Sequence, residues 1–226
     1  MEYKNLLKDS KAYYGDNDYY EIFSKAEDGE NKVRDYLKEL SENKIVVDAG
    51  CGTGKFLSTL ESSSKKYIGI DLSDKQLEVA KNKSHKTTSV FINTNLNNIP
   101  IEDDSVDLII STWVLGTITD LQEREQCLNE LKRILKKDGV LILVENNTNC
   151  EFEILRGHDK DTKTQDYNNW IINHDFIEDK KINTYFNFEN TQTAKKCFEV
   201  IYGKEISNKI NKNQIEHKII IFKYKK

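Results

Sequence analysis

Short apolar segments that alternate with helix-like segments restrict this chain to a narrow set of folds. The apolar segments are rich in β-branched residues and almost continuously hydrophobic, which is typical of strands covered by helices on both faces. They are Ile45–Asp48, Tyr67–Asp71, Val90–Asn93, Val106–Ser111 and Val140–Glu145. Because strands that alternate with helices pair in parallel through right-handed crossovers, we predict an α/β, doubly wound and mostly parallel sheet with helices on both faces.

The segments between these strands carry helix signals. Residues 30–40 place apolar side chains at the helical period. Ser73–Lys83 and Asp120–Lys137 each open with a side chain at capping-box spacing, which predicts where the two helices begin. Basic residues occupy the last turns of Asp120–Lys137, and we expect Gly139 to end that helix.

The pattern changes after Glu145. Residues 146–178 are polar, and we predict an irregular segment there. The remaining predicted elements are a strand at Lys181–Phe188, a helix at Thr191–Tyr202 that is ended by Gly203, and a strand at Ile215–Tyr224.

Composition limits the class of protein. The 226 residues fit one domain, and the 37% hydrophobic and 32% charged fractions predict a soluble globular protein. A net charge of −4 does not mark the whole molecule as a polyanion binder. The four cysteines lie far apart without a CxxC pair, which favours reduced thiols over a disulfide framework or a metal site. The N-terminal sequence lacks a signal-peptide or membrane-spanning pattern, so we expect a cytoplasmic protein.

Three glycines at alternate positions follow the first predicted strand and precede a helix. The stretch reads Asp48-Ala-Gly50-Cys51-Gly52-Thr-Gly54-Lys55. Such glycines permit a tight turn and the close approach of a ligand to the main chain, while the N-terminus of the next helix offers unpaired N–H groups. A dinucleotide fingerprint would need a glycine at Lys55, and a P-loop would need one at Ala49, so neither pattern fits.

The pattern Asp-x-Gly-x-Gly-x-Gly instead resembles motif I of the class I S-adenosylmethionine-dependent methyltransferases. The second strand ends in Asp71, where a carboxylate can accept both hydrogen bonds of a ribose diol. Both NAD and S-adenosylmethionine carry that diol, so Asp71 alone does not choose between them. The segment from Phe91 to Ser111 is similar to the family's third and fourth strands, except that Asn95 stands where an acid usually contacts adenine.

The resemblance implies a cofactor, a fold and a domain organisation. The cofactor would be S-adenosylmethionine, with S-adenosylhomocysteine as the product, in a seven-stranded sheet that ends in an antiparallel hairpin. The implied cofactor site comprises Asp48, Gly50, Cys51, Gly52, Gly54, Asp71, Leu72, Asn95, Leu96 and Ser111. The single domain would contain a helical arm or lid at 1–40, a cofactor-binding core at 44–145, a substrate-side insertion at 146–178, and a C-terminal hairpin and helix at 179–226.

The methyl acceptor is the part that the sequence constrains least. A sulfonium methyl is already electrophilic, so the protein has mainly to hold an acceptor atom in line with the S–CH₃ bond. Candidate substrate-side residues are Arg156 and His158 in the irregular segment, Trp113 after the fourth strand, and Tyr14 in the N-terminal arm. We assign no catalytic base, no metal ligand and no oligomeric state.

Some acceptors are disfavoured, and several functions stay open. The chain lacks an [Asn/Asp]-Pro-Pro-[Tyr/Phe] element, which disfavours methylation of the exocyclic amine of adenine or of glutamine by enzymes that carry it. It also lacks a Pro-Cys pair, which disfavours the covalent methylation of cytosine at C5. We therefore predict methyl transfer to oxygen or nitrogen of a small molecule, with no membrane partner. RNA or protein methylation, a non-catalytic S-adenosylmethionine-binding module and an NAD-binding oxidoreductase are the alternatives. A nucleic-acid partner is disfavoured by the acidic balance but is not excluded.

Overall fold

A computed structural model describes residues 17–226 of the chain. Its strands are β1 (Ile45–Ala49), β2 (Lys66–Asp71), β3 (Val90–Asn93), β4 (Val106–Thr112), β5 (Leu135–Asn146), β6 (Ile177–Asn187) and β7 (Gln214–Lys225). Its α-helices are α1 (Asn17–Ala26), α2 (Lys32–Ser41), α3 (Leu57–Ser63), α4 (Asp74–Lys83), α5 (Leu121–Ile134), α6 (Glu151–Arg156), α7 (Lys163–Ile172), α8 (Thr191–Tyr202) and α9 (Lys204–Ser207). A 3₁₀ turn covers Leu115–Thr117.

The strands form one sheet in the order β3-β2-β1-β4-β5-β7-β6. β1 lies between β2 and β4 and is parallel to both, with Val46 opposite Tyr67 on one side and Leu108 on the other. β2 is parallel to β3, and β4 is parallel to β5. β6 and β7 form the antiparallel C-terminal hairpin. The predicted doubly wound, mostly parallel α/β sheet is therefore confirmed.

Helix caps form where the sequence places them. Ser73 accepts a hydrogen bond from the main-chain N–H of Gln76 at the start of α4. Asp120 does the same for the N–H of Glu123 at the start of α5, at 2.9 Å. Each cap satisfies one of the N–H groups that the first helical turn leaves without a partner.

The boundary between α5 and β5 differs from the prediction. The helix ends at Ile134, because Leu135 is extended and pairs with Val106 in the sheet. Lys136, which the basic run suggested was helical, instead lies in β5 and makes a 2.7 Å ion pair with Asp107 on β4. Gly139 lies within β5 and does not end the helix.

The prediction of an irregular segment at 146–178 is also wrong. Two helices, α6 and α7, form there. α6 buries Phe152 and Leu155 and ends at Gly157, whose left-handed conformation (φ 80°) lets its N–H reach main-chain carbonyls of the last turn. With one and a half turns, α6 is too short for its apolar period to stand out in the sequence.

The described chain divides by its internal contacts into two compact units. One contains residues 17–32, 146–169 and 181–219, and its core is an aromatic cluster built around Phe23, Phe152, Phe186 and Phe198. The other contains residues 33–145, 170–180 and 220–226. Strands β1, β4 and β5, together with helices α3 and α5, supply most of the buried aliphatic residues of the second unit. In the part of the chain that the structure describes, no helix is long and apolar enough to cross a membrane.

Candidate functional site

The glycine loop turns sharply at the carboxyl end of β1. The main-chain N–H groups of Gly50 and Cys51 both donate to the carbonyl oxygen of Ile70 on β2, at 2.7 and 3.0 Å. Gly50, Gly52 and Gly54 all have positive φ angles, of 79°, 53° and 82°. Residues with a side chain adopt this region with difficulty, so the loop has its shape because these positions are glycines.

Gly50 also has no room for a side chain. A Cβ atom there would lie 2.3 Å from Cγ2 and 2.9 Å from Cγ1 of Val114, which follows β4. Val114 is β-branched and therefore stiff, so it cannot rotate away at low cost. The bare main chain at Gly50 is thus a requirement of the fold as well as of any ligand.

Asp71 is hydrogen-bonded to the glycine loop. Its carboxylate accepts from the N–H of Gly52 at 2.9 Å through Oδ2 and from the N–H of Ser73 at 2.8 Å through Oδ1. Burial raises the pKa of Asp71, while these main-chain donors act in the opposite direction. Since each carboxylate oxygen has two lone pairs, both oxygens keep acceptor capacity for a ligand.

Asp48 lies beneath the loop, at the end of β1, with a side chain that is 2% exposed. The phenol of Tyr67 donates to its Oδ2 at 3.0 Å. Burial raises the pKa of Asp48 to about 7, with a further increase from the nearby Asp71 and an opposing effect of the Tyr67 hydrogen bond. Cys51 lies in the same buried group, and its pKa is raised by burial and by the two carboxylates.

The residues predicted to contact adenine have different surroundings. Leu72 is 55% exposed although it directly follows a buried strand, whereas Leu96 is buried. The amide of Asn95 donates to Glu123 Oε1 at 3.1 Å, and its oxygen accepts from the N–H of Asn97 at 3.2 Å. The amide oxygen has a second lone pair, so these bonds leave it able to accept from the amino group of adenine.

Ser111, at the end of β4, is fully buried. In the described part of the protein its hydroxyl has no hydrogen-bond partner. The contact of Ser111 with the cofactor stays a prediction.

Trp113 has a strained main chain next to the loop. Its φ angle is +55°, which is rare for a bulky residue, and its N–H donates to the carbonyl of Val144 at 2.9 Å. The Lys55 ammonium lies 4.1 Å from the centre of the indole ring. This cation–π contact ties the glycine loop to the end of β4. No local sequence pattern predicted it, because the two residues are distant in the chain.

Arg156 and His158 meet at one buried carboxylate in the unit that contains α6. Glu153, which is 2% exposed, accepts from Arg156 Nη1 at 2.9 Å and from the Thr164 hydroxyl at 2.5 Å, and His158 Nδ1 lies 3.1 Å from its Oε2. A surface pocket of about 390 Å³ lies beside Glu153 and His158. The i,i+3 spacing of Glu153 and Arg156 could have predicted their pair, but nothing local pointed to Thr164.

Two further predictions concern Tyr14 and metal ligands. Tyr14 lies outside the described residues. Among the described residues, no group of three or more histidine, cysteine or acidic side chains could hold a metal ion. All four cysteines, Cys51, Cys127, Cys150 and Cys197, are buried thiols without a disulfide.

Comparison with known proteins adds to this geometry. Residues 47–143 match a family model described as a methyltransferase domain. The chain is 30% identical over 182 residues to an uncharacterised protein of Methanocaldococcus jannaschii, a match that covers 76% of this chain and 68% of that protein. It is 31% identical over 112 residues to the probable tRNA methyltransferase 9B of Homo sapiens, covering 50% of this chain but only 23% of the human protein.

A solved structure has the same fold. It is a protein of Thermotoga maritima described as an SAM-dependent methyltransferase, "possible histamine N-methyltransferase"; the superposition has a TM-score of 0.62 at 18% identity and covers 97% of this chain and 99% of that one. The fold, the glycine loop with its acid, and these matches define the class of protein. The chain belongs to the class I S-adenosylmethionine-dependent methyltransferases, a family of enzymes that transfer methyl groups.

Proposed function

We propose that this protein transfers a methyl group from S-adenosylmethionine to an oxygen or nitrogen atom of a small molecule and leaves S-adenosylhomocysteine. The observation that carries the proposal is the glycine loop held against Asp71. That carboxylate is fixed by the N–H of Gly52 and still has lone pairs for the two hydroxyls of a ribose.

The described residues suit the chemistry of that cofactor. Gly52 presents main chain with no Cβ, at a φ angle of 53°, which suits the close approach of a ligand. Leu72 offers an exposed apolar side chain one residue beyond the ribose acid, which suits the face of an adenine ring. Asp48 supplies a negative charge for an ammonium group at the amino-acid end. A dinucleotide fingerprint would need a glycine at Lys55, and its absence disfavours NAD.

Catalysis in this proposal is mainly positioning. When bound, S-adenosylmethionine supplies an electrophilic methyl group, and the protein holds the acceptor atom in line with the bond to sulfur. Alignment of this kind can lower a barrier by roughly 7–11 kcal/mol. Contact of Arg156, His158, Trp113 or Tyr14 with the acceptor stays a prediction. We also propose a cytoplasmic protein, because its four buried thiols suit a reducing compartment.

RNA methylation is the second candidate. The likeness to a probable tRNA methyltransferase supports it, although that match covers only 23% of the human protein. The possible activity named for the Thermotoga protein has a small amine as its acceptor, which agrees with the leading proposal. A protein acceptor and a non-catalytic S-adenosylmethionine-binding module are further alternatives that no single observation favours.

Calorimetry measures whether the proposed cofactor binds and whether Asp71 contributes to its affinity. Asp107→Ala is the matched control for Asp71→Ala. Asp107 is a carboxylate at the opposite end of the strands, where it accepts from the N–H of Ile45. We expect S-adenosylhomocysteine to bind the wild type and NAD not to bind. Asp71→Ala should weaken binding at least about tenfold, since hydrogen bonds to a charged group contribute roughly 1.5–3 kcal/mol. Equal affinity of the two variants would remove Asp71 from the site.

Transfer of a labelled methyl group shows whether the acceptor is a small molecule, an RNA or a protein. A cell extract is incubated with the protein and methyl-labelled S-adenosylmethionine, then fractionated by size with and without nuclease or protease. Label in the small-molecule fraction is expected. Heavy label that nuclease removes would replace the leading proposal with RNA methylation, and heavy label that protease removes would replace it with protein methylation.

A further inference from the structure

The carboxylate of Asp48 is buried without a positive charge beside it. Its one hydrogen bond from the residues that the structure describes comes from the phenol of Tyr67, at 3.0 Å. Its other oxygen accepts no hydrogen bond from them. No ion pair of the described chain includes Asp48, whose side chain is 2% exposed. A buried carboxylate in this state is costly as an anion.

The titratable groups around Asp48 do not compensate for its charge. Tyr67 on β2 and Cys51 in the glycine loop both have pKa values raised by burial, so both are neutral near pH 7. Asp71 at the end of β2 is a second acid. On β4, the residue in register with Asp48 is the apolar Ile110. The neighbourhood therefore holds acids and neutral groups, and an added cation would be the natural complement.

The two carboxylates have unequal means of holding a charge. Asp71 accepts main-chain N–H groups from Gly52 and Ser73, which stabilise an anion. Asp48 has only the phenol of Tyr67. When two nearby acids differ in this way, their environments push their pKa values apart, and the less supported acid retains its proton to higher pH.

We propose that Asp48 is protonated in the cofactor-free protein and that a ligand whose ammonium group enters the glycine loop displaces this proton to solvent. The step exchanges a proton for a cation. The carboxylic acid releases H⁺, and the resulting carboxylate pairs with the ligand's ammonium group, so the charge within the site is unchanged. The inference rests on the proposed function, because that ammonium group belongs to the amino-acid end of S-adenosylmethionine.

The exchange predicts how affinity changes with pH. With a pKa of about 7, Asp48 holds its proton in most molecules at pH 6 and in few at pH 8. Binding at pH 6 should release about 0.9 proton and binding at pH 8 about 0.1, and the dissociation constant should be about tenfold higher at pH 6 than at pH 8. Acid therefore weakens binding.

Calorimetry with S-adenosylhomocysteine at pH 6, 7 and 8, repeated in buffers of different ionisation enthalpy, counts the released protons. The ligand's own amine titrates in every variant, so the difference between the wild type and Asp48→Asn isolates Asp48. A second ligand, 5′-methylthioadenosine, has the nucleoside without the amino acid. We expect it to bind without proton release at pH 6.

Tyr67→Phe provides a test that does not depend on Asp48→Asn being folded. Removing the phenol takes away the hydrogen bond that lowers the pKa of Asp48, so the midpoint of proton release should move to higher pH. A variant with a merely structural defect would weaken binding equally at every pH.

The outcomes separate the two proposals. If S-adenosylhomocysteine fails to bind at any pH, the proposed function fails. If it binds with a pH-independent constant and no proton release at pH 6, only the exchange is overturned. Equal proton release with 5′-methylthioadenosine would also overturn it, because the ammonium group would then not be the displacing cation.

Discussion

Gly50→Ala should destabilise the protein far more than a glycine-to-alanine change at a matched position. Gly50 has a φ angle of 79°, and an added methyl group would lie 2.3 Å from a γ-carbon of Val114. Gly157 has nearly the same φ angle, 80°, but an added Cβ there meets nothing within 4 Å. The two substitutions therefore share the cost of left-handed backbone and differ in the steric overlap.

The magnitudes follow from those two terms. Left-handed backbone costs an alanine about 1–2 kcal/mol, and forcing extra atoms into a packed site adds about 1–3 kcal/mol. Gly157→Ala should thus lower the free energy of unfolding by about 1–2 kcal/mol, and Gly50→Ala by about 2–5 kcal/mol. Urea denaturation measures both values. Adding Val114→Ala to Gly50→Ala should recover part of the steric cost.

Equal destabilisation at positions 50 and 157 would refute this reasoning, since it would mean that the Val114 side chain moves aside freely. Cofactor binding provides a second readout. Gly50→Ala should weaken binding of S-adenosylhomocysteine, because relieving the overlap with Val114 would shift the main chain of the glycine loop. Gly157 lies in the other unit, so Gly157→Ala should leave the affinity for S-adenosylhomocysteine unchanged.

Three further predictions concern carboxylates. Asp107→Ala should lower the free energy of unfolding by about 1–3 kcal/mol, mainly because the N–H of Ile45 loses its acceptor. The affinity for S-adenosylhomocysteine should stay the same, and weakened binding would contradict this. Glu153→Gln should lower the free energy of unfolding by roughly 3 kcal/mol or more, because it leaves the partly buried guanidinium of Arg156 without a counter-charge. A decrease under about 1 kcal/mol in urea denaturation would contradict this prediction. The pKa of Asp48 is raised above its value in the unfolded chain, so the contribution of Asp48 to stability falls as the pH rises from about 4 to about 7. Asp48→Asn should therefore melt at a higher temperature than the wild type at pH 8 and lose that advantage at pH 5. A difference in melting temperature that does not change with pH would refute the assignment.

The cofactor region was readable from the sequence because its signals are local. The glycine spacing, the acid at the end of β2 and the Ser73 and Asp120 caps each depend on residues within a few positions of one another. The glycines at positions 50 and 54 permit the positive φ angles that the loop adopts, and their spacing is visible in the sequence.

Features set by distant contacts were missed. The basic run that resembles a helix end at Lys136 is a strand because Leu135 pairs with Val106, and a local pattern cannot show this. α6 was missed because a helix of six residues carries too few apolar positions to display a period. α7 was missed because its first four residues are polar and its apolar residues lie only in its second half. The role of Glu153 as the common partner of Arg156 and His158 depends on how α6 turns back at Gly157.

The division of the chain into two units has a consequence for how this protein could have diverged from its relatives. The family-model match at residues 47–143 falls wholly within the segment 33–145, which belongs to one unit. Mutation could therefore reshape residues 146–169 and 181–219 while the inherited glycine loop stayed intact. We expect chimeras that exchange those two segments between relatives to keep the affinity for the cofactor.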